Sequence, residues 1–168
     1  MGLFDKLTGT MRPADGITPL SADEVHAALL SLNGPDVPYV VRAGHEEGAD
    51  LVAEWRLLEP AWRTFFVRTQ LSRVFKVHMR LVPEKNEVRT LDQQFEVDWV
   101  GDTPRLAVAA EVQRGQVRTV SKQRTLSRNE EGNREETFSF DSNDLKDPLQ
   151  TVVLKSGWIW RAVISGKL

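Results

Sequence analysis

The hydrophobic positions change period along the chain, and each change marks an element. Ser21-Ala-Asp-Glu24 places a hydroxyl and a carboxylate three residues apart, the pattern in which each satisfies a free N–H at a helix start. Val25, Ala28, Leu29 and Leu32 follow at i, i+3, i+4 and i+7, and Asn33-Gly34-Pro35 stops the run. The spacing predicts an amphipathic helix of about three turns. From Val37 the period becomes two. Tyr39-Val40-Val41 reads as a short strand, and Leu51, Ala53, Trp55 and Leu57 alternate with Val52, Glu54, Arg56 and Leu58 in a longer one. Glu59-Pro60 interrupts it, and residues 62 to 69 resume with β-branched and aromatic side chains.

A hairpin follows. Leu71, Phe75, Val77, Met79 and Leu81 share one side of a strand, opposed by Ser72, Lys76, His78 and Arg80. Beyond Pro83-Glu-Lys-Asn-Glu87, Leu91, Phe95, Val97 and Trp99 alternate with Thr90, Asp92, Gln94, Glu96 and Asp98. Matching the two apolar sides predicts Met79 opposite Leu91, Phe75 opposite Phe95 and Leu71 opposite Trp99. His78 then faces Asp92 on a wet polar side. Leu106 to Val112, the Val- and Thr-rich residues 116 to 127, and Thr137 to Asp141 read as further strands. Asp147-Pro148 predicts the start of a second helix, with Leu149, Val152 and Val153 as its stripe and Gly157 at its end. Trp158, Trp160, Ala162 and Ile164 alternate with Ile159, Arg161 and Val163, a strand apolar on both sides and suited to the inside of a sheet.

These elements predict an α+β fold, a single domain with an antiparallel β-sheet of hairpins and two packed helices. Residues 1–20, with Gly9, Pro13, Gly16 and Pro19, read as an N-terminal tail and linker, and 21–168 as the domain. Leu3, Phe4 and Leu7 lie on one side of a short helical turn in that tail.

Composition narrows the function classes. The 168 residues are 40% hydrophobic and 27% charged, ordinary values for a globular chain that needs no staples. Cysteine is absent, which excludes a disulfide framework, a thiolate metal site and a cysteine nucleophile. Twenty-two Lys and Arg against twenty-four Asp and Glu give a net charge of −2, so no global field selects nucleic acid or membrane. No stretch approaches the roughly 18 apolar residues of a membrane span. Asp5 and Lys6 interrupt the first apolar residues, which predicts no secretory signal and a cytoplasmic protein.

The stretch from Phe75 to Arg89, Gln94-Phe-Glu-Val-Asp-Trp99, Pro148-Leu-Gln150 and Gly157-Trp-Ile-Trp-Arg161 resemble a family of uncharacterised bacterial proteins of similar length. The resemblance spans most of the chain and implies no activity and no site residues.

Candidate chemistry is sparse. Phosphate-cradling glycine loops and a nucleophile elbow are missing, and none of His26, His45 and His78 lies four residues from another. His45-Glu46-Glu47 with Asp50 supplies metal-ligand types at a spacing that fits a polar loop better, and His78 with Asp92 fits a cross-strand pair better than a catalytic base. No catalytic residue, cofactor or metal is therefore expected. Charge is segregated downstream. Arg114, Arg118, Lys122, Arg124 and Arg128 would share one side of a continuous strand, and seven acidic residues follow between Glu130 and Asp147. A basic strip would track phosphates, but residues 105–128 hold no aromatic to stack bases, and a hairpin that neutralises itself explains the pattern more simply. Five tryptophans make an interaction surface with Trp158 and Trp160 worth testing. The expectation is a non-enzymatic protein-interaction module that binds a protein partner or self-associates, with Trp158, Trp160, Arg114, Arg118, Lys122 and Arg124 as candidate surface. The alternative is a small-ligand or lipid-binding β-rich domain. Nucleic acid and membrane are not expected partners.

Overall fold

The computed structural model describes residues 9–57, 59, 62, 73–101, 103–108, 114–115, 123–128, 134–140, 143–164 and 168. The Leu3-Phe4-Leu7 turn, all but Trp62 of the strand expected over residues 62 to 69, and Arg118 and Lys122 of the basic strip lie outside them, and Trp62 is helical rather than extended. The fold is α+β, and its open sheet is mostly antiparallel.

Helix α1 (Ala22–Leu30) starts where its capping box predicts. Glu24 N–H donates to Ser21 Oγ at 3.2 Å, and Ser21 N–H donates to Glu24 Oε2 at 2.8 Å. Its Val25 and Leu29 are fully buried. Helix α2 (Asn143–Lys155) begins four residues before the predicted start at Asp147, so Pro148 lies inside it. An interior proline costs about 3 kcal/mol through its missing N–H and its clash with the preceding turn. Leu145, Leu149 and Val153, at i, i+4 and i+8, are completely buried, and each contributes about 1.5–3 kcal/mol. Their burial outweighs the proline.

The described residues form one seven-stranded sheet and a separate two-stranded one. In the large sheet β1 (Tyr39–Ala43), β2 (Leu51–Trp55), β3 (Arg73–Val82) and β4 (Glu87–Val100) run antiparallel in chain order. β4 is long enough that three strands share its far edge in succession. β5 (Thr103–Val108) pairs with residues 95–100, β6 (Arg114–Gly115) with Asp92 and Gln93, and β9 (Ile159–Ala162) with residues 87–90 in parallel. β7 (Gln123–Arg128) and β8 (Arg134–Phe140) form the small hairpin.

The β3–β4 register is one residue away from the predicted one. Val82 pairs with Glu87 across a 3₁₀ turn at Pro83–Lys85, which Asn86 closes in the left-handed region at φ 46°. That turn fixes the pairing and overrides the match of apolar sides. Val77 therefore opposes Asp92, Phe75 opposes Gln94, Met79 opposes Thr90 and His78 opposes Leu91. A one-residue shift reverses the side every residue occupies. Thr90 and Asp92 point to the helix side with Phe75, Val77 and Met79, while Leu91, Phe95, Val97 and Trp99 point the other way. The sheet is thus apolar on both sides, and Val74, Phe95, Val97, Trp99 and Leu106 belong to the same core as the helix-side residues.

Segment 9–20 is more than a linker. Met11 and Trp160 exchange two main-chain hydrogen bonds of 2.9 Å, Thr10 Oγ1 accepts from Ala162 N–H at 3.1 Å, and Leu20 N–H donates to Ser156 at 2.9 Å. Gly157 sits at φ +75°, where a Cβ would come within 3.0 Å of Pro19 Cα, so only glycine lets this strap cross the end of α2. Trp158 donates its indole N–H to the Leu20 carbonyl at 2.8 Å.

Candidate binding surfaces

On the side of the sheet away from α1 and α2, the β1–β2 loop folds over the strands. Gly44 makes this approach feasible, because a Cβ there would lie 2.7 Å from Val52 Cγ2. The following 3₁₀ turn, His45–Glu47, brings Glu47 to Arg42 and within 3.7 Å of His78 Nε2. Arg42 also donates to Glu54 at 2.8 Å, and Lys76 reaches Glu54 at 3.0 Å while lying 4.8 Å from the centre of the Phe95 ring. Burial opposes ionisation of Glu54, but hydrogen bonds from Arg42 and Lys76 outweigh it and hold the carboxyl below its usual value. The bond to Glu54 raises Arg42 above its ordinary range against the cost of burial. Opposite charges alternate across β1, β2 and β3, and the network neutralises itself.

The next row on the same side is different. Register places Arg80 of β3 opposite Arg89 of β4, and Arg89 opposite Arg161 of β9. Arg161 Nε reaches the buried Glu87 at 3.2 Å. Arg80 donates to the main-chain oxygens of Gly48 at 2.7 Å and Leu168 at 3.1 Å. The side chain of Arg89, half-buried in the middle, makes no hydrogen bond or ion pair with a described residue. Sequence periodicity missed this row. The predicted register set Arg80 opposite Thr90, and nothing local signals the parallel pairing that adds Arg161.

The sheet edges differ as well. Asn33 lies against β1 and mimics a strand, its side-chain oxygen accepting Val41 N–H at 2.7 Å and its amide donating to Val41 C=O at 2.8 Å. Met11 covers the outer edge of β9. No strand among the described residues pairs with the outer edge of β5. Val163 N–H bonds Thr90 C=O, so the even-numbered residues of β4 turn to its far edge. By alternation the main chains of Pro104, Leu106 and Val108 turn outward from the β4–β5 ladder. Pro104, which has no N–H to give, fits that position. Val100, at the tip of the hairpin, is 51% exposed.

The residues singled out from sequence fall as follows. Trp158 and Trp160 are 1% and 0% exposed, core side chains and no part of a surface. The continuous basic strand is broken, because Arg114 lies in β6 beside β4 while Arg124 and Arg128 lie in β7 of the other sheet. The β7–β8 register sets Arg124 against Ser139 and Arg128 against Arg134, so no basic residue of β7 directly opposes a carboxylate. His78 and Asp92 lie on opposite sides of the sheet and cannot work together. Asp50 accepts Leu81 N–H at 2.8 Å, and the described residues contain no group of three acidic, His or Cys side chains able to hold a metal. Asp92, 1% exposed, instead meets Lys146 of α2, whose ammonium also lies 5.7 Å from the Phe75 ring centre. Among the described residues no helix is long and apolar enough to cross a membrane. Comparison with protein-family models, curated proteins and solved structures gives no match, so nothing there bears on the resemblance carried by Phe75–Trp99 and Pro148–Arg161.

Proposed function

We propose that this chain is a non-enzymatic protein-interaction module that receives an extended segment of a protein partner, or of a second copy, along β5. The observation that carries the reading is the contrast between edges. Asn33 and Met11 occupy the outer edges of β1 and β9, whereas the outward main-chain groups of Leu106 and Val108 meet no described strand. An unpaired edge is a template for strand addition, in which main-chain hydrogen bonds supply affinity. Exposed Val100 offers an apolar contact beside it. Separation of His78 from Asp92 removes the one acid–base pair that sequence suggested. The small-ligand or lipid alternative rests on strands that alternate over long lengths and on Trp158 and Trp160, and both tryptophans are packed into the core.

Light scattering after size exclusion, with a pull-down from native cells, tests the reading. Val108→Pro deletes an outward N–H and spares the β4–β5 ladder. Self-association or partner capture that this variant abolishes supports it. A strict monomer that recovers no partner, or capture unaffected by the variant, overturns it.

A further inference from the structure

We propose that Arg80, Arg89 and Arg161 form a binding site for a phosphate group on the side of the sheet away from α1 and α2. The inference does not depend on the β5 edge. Three arginines stand in register on three neighbouring strands. Strands lie about 4.8 Å apart, so the row spans roughly 10 Å. Like charges directly opposite one another destabilise a sheet. Across β1, β2 and β3, described opposite charges on this side are neighbours: Arg42 with Glu47 and Glu54, Lys76 with Glu54. Here Glu87 engages Arg161, Arg80 bonds main-chain oxygens, and the half-buried Arg89 has a cation on each side. An arrangement that weakens the fold and leaves the central guanidinium without an acceptor among the described residues fits an external anion.

Phosphate matches the row better than a single carboxylate. Near neutral pH a phosphate monoester carries about −1.5 to −2 charge and three acceptor oxygens, and guanidinium forks bind such oxygens in pairs. Arg89 supplies the free fork, and Arg80 and Arg161 supply flanking charge. The group can arrive as a free phosphate compound or on a side chain of a protein partner, and both present the same chemistry to the row.

The test uses the full chain, titrated with inorganic phosphate, with a phosphoserine pentapeptide and with its unphosphorylated counterpart, followed by amide chemical shifts. At low salt the expected dissociation constant for phosphate or phosphopeptide is about 1 mM or lower, with shifts centred on Arg89. Arg89→Gln should weaken binding about tenfold or more, and Lys155→Gln, at the exposed end of α2, should leave it unchanged. Without ligand, Arg89→Gln should be as stable as the parent or more so, because it relieves repulsion. Phosphopeptide bound more tightly than phosphate identifies a protein-borne group, and equal affinity identifies a free one. The proposal is overturned by dissociation constants above about 10 mM for both probes, by equal binding of the unphosphorylated peptide, or by affinity that Arg89→Gln does not change. Unfolding of Arg89→Gln also overturns it, since the side chain would then have a structural role.

Discussion

Replacing Lys146 with methionine keeps a long, unbranched side chain and removes half of a buried ion pair. The partner left behind, Asp92, is 1% exposed on the helix side of β4. Losing the ion pair to so buried a charge costs about 3–5 kcal/mol, because the desolvation penalty stays while that attraction disappears. For a chain of this size, about 2–4 °C accompanies each kcal/mol, so the melting temperature should fall by roughly 6–20 °C. Asp92→Leu should be comparably harmful, since it strands the ammonium against Phe75. The double variant Lys146→Met with Asp92→Leu should recover most of the loss, because an apolar pair of similar volume replaces an ion pair with little net cost. Urea unfolding followed by fluorescence of the buried tryptophans measures all four corners of this cycle. If Lys146→Met costs under about 1 kcal/mol and the two changes simply add, the pair is solvated and the reasoning fails. That result would return Asp92 to the wet side.

Other perturbations follow from the same geometry. Glu54 titrates below its usual value, so the stability it adds is present above the ordinary carboxylate range and is lost as pH falls through the lower folded value. Glu54→Gln should cost about 1–2 kcal/mol at neutral pH, and its deficit relative to the parent should vanish in acid when both are unfolded by urea across pH. Asn33→Ala removes two hydrogen bonds to Val41, which should cost about 1–2 kcal/mol and open the β1 edge to self-association detectable by light scattering.

Local signals were legible in the sequence where a short stretch decided the outcome. Ser21 and Glu24 announced α1, and the two-sided apolarity of residues 158–164 matched a strand enclosed between β4 and Met11. The register of β3 and β4 was not legible. Both strands alternate cleanly, and similarity of their apolar sides favours one pairing while the turn ending at Asn86 imposes the other. The start of α2 was hidden by Pro148, whose helix-breaking cost is visible locally while the burial that offsets it is tertiary. Candidate sites suffered from the same shift. His78 and Asp92 were joined by the wrong register, Arg80 and Arg89 were separated by it, and Arg161 joins them through a parallel pairing that no local signal announces.

The β3–β4 register underlies both the buried Asp92–Lys146 pair and the arginine row, and cross-strand proton contacts read it directly. Met79 turns its main chain toward β2, where its carbonyl accepts Asp50 N–H at 2.9 Å, so Met79–Thr90 and Val77–Asp92 are the close, non-hydrogen-bonded pairs of the ladder. Nuclear Overhauser spectra should show strong Hα–Hα contacts for Met79 with Thr90 and for Val77 with Asp92. Contacts of Met79 with Leu91 and of His78 with Asp92 in their place would contradict the account.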